Sequence, residues 1–421
     1  MSEIVLLDTG SDFNNIKCIS MTFDEDIPQY YAISYRWGRH PVWKAQTPNY
    51  MAYITSVSQD NLIRLCEILR SQIRYVWIDV VCINQADIFH RKMAIKNMDK
   101  IYRRAERIIA VPDLCYCDGY PRMQNVTKED IDLAVKKISQ YEAHCSKSSD
   151  FQERRRIWPS KGVIFVREVI QEWACRCWVI SERVIGLKDN KLDIIIVRAG
   201  GTKISYEEWR SYLFVDWNIN FDQATLVNTI INSKSTKYID RLFAILPHTK
   251  YQNAVRKLVD EGRSVANMVD LKMTLLDILD IEGKIVLLRH SVSEQGDFRR
   301  VLPLFTKRKK YRLPAASLSD QNHYCNVEPA LQDGKPAIKV SGYYNIKPTP
   351  AACRKLSNLF GLKAKSVLDI VLVKEHRGYY TNPWQRCLRC IKTNGIWIVD
   401  SIRNEQVPQN ECYKRGEFVV F

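Results

Sequence analysis

Tyr75-Val-Trp-Ile-Asp-Val-Val-Cys-Ile-Asn-Gln85 decides how this chain is read. It is a near-continuous apolar run that carries one carboxylate, Asp79, and ends in Asn84-Gln85. Such runs predict a strand buried on both faces, as in a parallel sheet. An ionised Asp inside one is costly unless it is paired or sits at the open end of the strand. Two readings of Asp79 follow. It caps a neighbouring loop or helix through hydrogen bonds, or it belongs to a site, because open α/β sheets bind ligands beyond the carboxyl ends of their strands.

The segments around the run repeat one plan. Upstream, Tyr30-Tyr-Ala-Ile-Ser-Tyr-Arg-Trp-Gly38 reads as a strand that stops at a glycine. In residues 60–72, Leu62, Leu65, Cys66 and Leu69 share a helical face, with Asp60 as N-cap. Residues 90–105 place Met93, Ala94, Asn97, Met98, Ile101, Tyr102 and Ala105 at helical spacing, and Arg107-Ile-Ile-Ala-Val-Pro112 reads as a short buried strand. This β-α-β-α-β order predicts a doubly wound parallel sheet with helices on both faces, in which 29–36, 74–83 and 106–111 are adjacent parallel strands. Residues 165–186 predict a helix containing Trp173, Arg176, Trp178 and Glu182, and Leu192-Asp-Ile-Ile-Ile-Val197 a further strand.

Three blocks in this region are similar to the HET (heterokaryon incompatibility) domain family of fungi. Tyr31-Ala-Ile-Ser-Tyr-Arg-Trp-Gly38 resembles its opening "YxxLSYxWG". Trp77-Ile-Asp-Val-Val-Cys-Ile-Asn-Gln85 resembles its "WIDxxCINQ" core, which continues into Asn97-Met98 and Ile101-Tyr102-Arg-Arg-Ala105. Arg176-Cys-Trp-Val-Ile-Ser-Glu182 resembles "RxWxxQE", with Ser181 where the family usually has Gln. Tyr238-Ile-Asp-Arg-Leu-Phe-Ala-Ile-Leu246 is a weaker echo of a later segment. Arg36 stands where a small or apolar residue is common. The resemblance implies an effector in non-self recognition and programmed cell death. It also implies a flavodoxin-like sheet of the kind found in TIR domains, some of which cleave NAD with a glutamate in a Trp-x-x-x-Glu helix. Trp178-Val-Ile-Ser-Glu182 has that spacing.

On this reading Glu182 and Asp79 are the candidate catalytic carboxylates, and Tyr35, Arg36, Trp37 and Trp178 the candidate substrate-binding residues. Hydrolysis of an N-glycosidic bond passes through an oxocarbenium-like state that a carboxylate stabilises. NAD is then a substrate, and no cofactor is called for. Two alternatives stay open. Trp178 packs in a core while Glu182 pairs with Arg176 or Arg183, or the domain acts as an interaction module, self-associating or binding a protein partner.

Bulk properties bound the rest. At 421 residues the chain has room for two domains. The expected division is residues 1–250, with 112–160 as an insertion, then a helical connector over 251–282, then a smaller β-rich domain over 283–421. Short β-type runs at Lys284–Arg289, Ala337–Val340, Val367–Val373, Gly395–Val399 and Glu417–Phe421 predict that last domain, with a helix near 349–360. No apolar run approaches membrane-spanning length. The N-terminus carries no secretory pattern, and the 13 scattered cysteines read as reduced thiols. A cytoplasmic protein is expected, with nuclear entry open.

The net charge is +16 and uneven: residues 281–421 hold 24 Lys and Arg against 12 Asp and Glu. Lys307, Arg308, Lys309 and Lys310 form a basic run that reads either as a polyanion contact or as a solvated loop. Cys387 and Cys390, with His376 and Cys412, make a weak zinc pattern, so no metal site is assigned. There is no phosphate loop, zinc-protease helix or Gly-x-Ser-x-Gly elbow, which weighs against NTPases, zincins and α/β-hydrolases.

Overall fold

The chain opens with an antiparallel pair, β1 (Glu3–Asp8) and β2 (Cys18–Thr22), followed by β3 (Tyr30–Tyr35), all six of whose residues are buried. A hairpin of β4 (Trp43–Gln46) and β5 (Met51–Ile54) leads to helix α1 (Gln59–Leu69). Next come β6 (Tyr75–Trp77), a single helical turn α2 (Asp79–Cys82), helix α3 (Ile88–Arg104) and β7 (Arg107–Val111). Helices α4 (Lys128–Cys145), α5 (Lys161–Ala174) and α6 (Cys177–Lys188) precede β8 (Leu192–Ile196), a 3-10 turn at Val197–Ala199 and β9 (Thr202–Ser205). The computed structural model describes residues 3–13, 16–23, 26–116, 125–145, 160–205, 220–291, 322–323, 325–348, 366–375, 384–393, 395–406 and 413–421. It divides into two units, Met1–Ile219 and Asn220–Phe421.

The strands of the first unit form one sheet in the order β2-β1-β6-β3-β7-β8-β9. The central four are parallel, with β3 paired to β6 on one side and β7 on the other. Taken in chain order these four lie 2-1-3-4, the arrangement of flavodoxin-like sheets. Connections β3-α1-β6 and β6-α3-β7 run in opposite directions across the sheet, so right-handed crossovers put α1 and α3 on opposite faces. Antiparallel β1, β2 and β9 complete the edges.

Three local expectations are corrected. The Tyr75–Cys82 run is not one strand: β6 stops at Trp77, Ile78 is extended (φ −135°, ψ 122°), and the chain then coils into α2. Val80, Val81 and Cys82 stay buried because this turn packs on β1 and β5. An apolar run buried all round carries no period that separates strand from helix. The expected single helix over 165–186 is two, broken where Arg176 turns extended (φ −77°, ψ 138°). Ser58, not Asp60, caps α1, accepting from the Asn61 amide at 3.3 Å.

In the second unit, helices α7 (Gln223–Asn232), α8 (Tyr238–Ile245), α9 (Gln252–Asp260), α10 (Met268–Ile278) and α11 (Ile281–Ser291) precede the strands. Lys284–Arg289, expected as a strand, lies inside α11. Asp280 opens that helix, accepting the Gly283 amide at 3.0 Å, and Ile285, Val286, Leu287 and Leu288 are all buried, which hides the helical period.

The strands are β10 (Asn322–His323), β11 (Cys325–Gln332), β12 (Lys335–Pro348), β13 (Ser366–Glu375), β14 (Trp384–Thr393), β15 (Ile396–Gln406) and β16 (Lys414–Val420). Strand β12 pairs with both β13 and β16, closing a barrel through β14 and β15. Strand direction cannot alternate around an odd ring, so five strands need at least one parallel seam. It falls at β15–β16, where Trp397 faces Val420. Lys307–Lys310, His376, Cys412 and the helix expected near 349–360 lie outside the described residues.

Two packing predictions follow. Gly162 sits at the start of α5, and a Cβ there would lie 1.9 Å from the Asp130 carbonyl oxygen in α4. Helix propensity alone favours Gly162→Ala by about 1 kcal/mol. The backbone clash outweighs it, so the variant should melt lower, by an amount equivalent to about 1–3 kcal/mol; a higher melting point would refute the α4–α5 contact. In the barrel, Arg389 pairs with Asp369 through two bonds of 2.6 and 2.7 Å and with Glu405 at 2.6 Å. Asp369→Ala leaves a buried guanidinium short of a partner and should destabilise by about 3–5 kcal/mol in denaturant unfolding.

Candidate active site

Strand β3 delivers two adjacent polar side chains, Ser34 and Tyr35, which a strand points to opposite sides of the sheet. Each meets a different carboxylate. Ser34 donates its hydroxyl proton to Glu182 of α6, and its oxygen accepts from the Trp173 indole N–H at 2.9 Å. Tyr35 donates to Asp79 at 2.8 Å, and its hydroxyl oxygen lies 3.1 Å from the Ser56 hydroxyl. Trp37 donates to the other Asp79 oxygen at 2.9 Å while the residue stays 43% exposed. Gln85 reaches back to the Asp79 carbonyl at 3.1 Å, and Asn84 accepts the Ala86 amide at 3.1 Å.

Glu182 is only 7% exposed. Burial is the main force on its carboxyl, pushing it from the ordinary 4.5 up to about 7. The Asp79 charge pushes the same way, while bonds from Ser34 and Tyr102 and the charge of Arg176 pull against it. Asp79 is also raised, again mainly by burial, and its bonds from Tyr35 and Trp37 oppose the shift. The two carboxylates therefore sense each other, and Arg176 favours the ionised form of both. Arg176 lies at the break between α5 and α6, 3.4 Å from the Tyr35 carbonyl. An unbroken helix would not set its backbone extended there.

Asp79, Tyr35, Trp37 and Glu182 are thus linked through the carboxyl end of β3. Among the described residues, no hydrogen bond joins Arg36 or Trp178 directly to these four. Arg36 turns to the residues after β7, bonding the Tyr116 hydroxyl at 3.0 Å and pairing with Glu172 at 3.2 Å. Trp178 lies half-buried one turn before Glu182. The tryptophan that enters the network is Trp173, from the preceding helix. Sequence reasoning missed Ser34 and Tyr102 as carboxylate partners and Trp173 as the donor behind Ser34. Tyr102 had read as a core position; it is 3% exposed, and its hydroxyl also lies 3.3 Å from the Ile33 carbonyl. A hydroxyl at a core position of an amphipathic helix was the one available signal, because a buried phenol needs a partner.

A parallel α/β sheet with buried, charge-coupled carboxylates at its carboxyl end defines the class of this domain. Residues 30–182 match the family model described as heterokaryon incompatibility protein (HET), so the chain carries a HET domain and with it a role related to heterokaryon incompatibility. The match begins at the first residue of β3 and ends at Glu182. No curated protein and no solved structure matches the chain. Among the described residues no helix is long and apolar enough to cross a membrane, and no group of three or more His, Cys, Asp or Glu is placed to hold a metal.

The raised Glu182 carboxyl makes stability depend on pH. Its folded value of about 7 exceeds the ordinary 4.5, so the folded state binds the extra proton between them. Its contribution is full below 4.5 and is lost as pH rises through about 7. The loss is on the order of 3 kcal/mol, at 1.36 kcal/mol per unit. Glu182→Gln mimics the protonated acid and removes the titration. Urea unfolding of both proteins across this range should show the difference moving in the variant's favour as pH rises. A constant difference would mean that Glu182 titrates normally.

Proposed function

We propose that this HET domain is an effector of fungal non-self recognition that triggers programmed cell death, and that its output is hydrolysis of the N-glycosidic bond of NAD by Glu182, with Asp79 acting on it through its charge. The observation that carries this reading is a buried carboxyl held at about 7 that feels the charge of Asp79. A group with that value changes protonation at neutral pH, as acid–base catalysis requires. In its ionised form Glu182 would stabilise the developing positive charge on the ribose carbon. The C–N bond breaks with its electron pair going to the pyridinium nitrogen, which leaves as neutral nicotinamide. Water adds to the ribose carbon and gives its proton to Glu182. Trp37, tethered to Asp79 and partly exposed, offers a stacking face for the flat leaving group.

A second reading rests on α3, whose first turns expose Ile88 (57%), Phe89 (80%) and Met93 (41%). Exposed apolar side chains grouped this way mark a protein contact surface. In that case the domain signals by assembling rather than by chemistry.

One assay separates the two. Purified protein is incubated with NAD and free nicotinamide is measured for wild type, Glu182→Gln and Asp79→Asn. The enzyme reading expects release by wild type and a loss of about 10²- to 10⁴-fold in Glu182→Gln, with the variant folded. Cell death that persists in a folded Glu182→Gln, with no nicotinamide released by either protein, would establish the assembly reading instead.

A further inference from the structure

A second feature lies at the carboxyl end of β8. There the 3-10 turn, α1 and the start of α4 enclose a cleft of about 620 Å³. That is the size of a small-molecule site and too large for an inorganic anion alone. Its apolar lining is offered by the half-buried Ile68 of α1 and Val126, over the buried Ile131 and Val197. Its rim carries Arg64, Lys128 and Arg198, with Glu67 as the opposing carboxylate. Arg64 and Lys128 are exposed and form no ion pair among the described residues.

Arg198 is held in place. Its Nε and Nη2 donate to the Tyr116 carbonyl at 3.2 and 2.7 Å. The same carbonyl accepts from Asn61 of α1 at 2.9 Å. Below it, Asp113 accepts the backbone amides of Val197 and Arg198 at 3.1 and 2.9 Å, fixing the turn. Gly200, in the left-handed conformation at φ 66°, lets the chain turn away and leaves open space on that side. The cleft is thus bounded by a positioned guanidinium, two free-standing cations and an apolar wall.

From this arrangement we infer that the cleft is a binding site for a nucleoside monophosphate, with the phosphate at Arg64, Lys128 and Arg198 and the base against Ile68 and Val126. The cations supply charge-assisted hydrogen bonds to phosphate oxygens. The apolar wall gives a flat base a surface that inorganic phosphate cannot use. Open α/β sheets bind ligands at this end of their strands. The assignment is independent of the NAD reading, because no residue of the cleft belongs to the Asp79–Glu182 network.

Isothermal titration of the full chain with AMP, adenosine and inorganic phosphate tests it. AMP should bind saturably and more tightly than either of the others. Arg64→Ala combined with Lys128→Ala should weaken AMP by about tenfold or more, one or two charged contacts being removed. Glu67→Gln should tighten it by roughly two- to threefold, a gain that general damage to the fold does not produce. Glu182→Gln should leave AMP affinity unchanged while altering any NAD turnover, which separates failure of this site from failure of the other. Absence of saturable AMP binding, equal affinity for phosphate and AMP, or insensitivity to the paired substitution would each overturn the assignment.

Discussion

The constraint on which the first unit depends is the burial of Glu182. A carboxyl only 7% exposed must find hydrogen-bond partners or stay protonated, and this one does both at different pH. Its partners come from separate elements: Ser34 from β3 and Tyr102 from α3, with Trp173 from α5 bonding behind Ser34. The strand and α3 are fastened again at the other end, where the Tyr30 hydroxyl donates to the Ile101 carbonyl at 2.6 Å. The chain Trp173 to Ser34 to Glu182 points one way, each hydroxyl or indole donating to the next acceptor, so its bonds reinforce one another. Moving any one element would strand a buried polar atom on another.

The parallel core was legible because its strands are short apolar runs separated by amphipathic helices, and β3, β7 and β8 lie where those runs fall. What the sequence obscured has a common cause. In Val80–Cys82 and in Ile285–Leu288 every residue is buried, so hydrophobicity loses its period and strand and helix look alike. The break at Cys175–Arg176 was invisible for a different reason. No proline or glycine marks it, and the bond by which the Arg176 side chain ties the break to the Tyr35 carbonyl spans 141 residues. Asp79 and Glu182 stood out as carboxylates in apolar surroundings. Ser34 did not, since its bonds to Glu182 and Trp173 span 148 and 139 residues, and no local pattern encodes such a partner.

The second unit answers a different problem. A five-stranded ring cannot be antiparallel throughout, and the misfit is placed at a short seam. There the Val399 amide donates to the Phe421 carbonyl at 2.7 Å and the Phe421 amide to the Trp397 carbonyl at 2.9 Å. The sequence shows the strands but not this closure, because which strand returns to β12 is decided by long-range pairing. The basic excess of the C-terminal third also looks different at residue level. Arg389 is locked between Asp369 and Glu405, and Lys339 pairs with Glu417 at 3.0 Å, so these cations hold the barrel wall together and the excess rests on the others.

In the first unit the polar groups are fixed where the strands end. The residues after β3 supply Trp37 to Asp79 and Arg36 to Glu172, and the turn after β6 supplies Asp79 itself. The segment after β7 supplies Tyr116, whose hydroxyl joins the Arg36–Glu172 pair while its carbonyl anchors Arg198 after β8. The reason is geometric. Parallel strands all finish at the same edge, and each apolar run must there release a chain with polar groups that need partners. The partners available are those of the neighbouring strand ends, so the edge becomes a continuous set of hydrogen bonds. Tyr116 is the residue through which the two halves of that set touch. Displacing it would move Arg36 and Arg198 together while leaving the Ser34–Glu182 bond on its own elements, so the two ends of this edge are joined mechanically at one residue and separate in their chemistry.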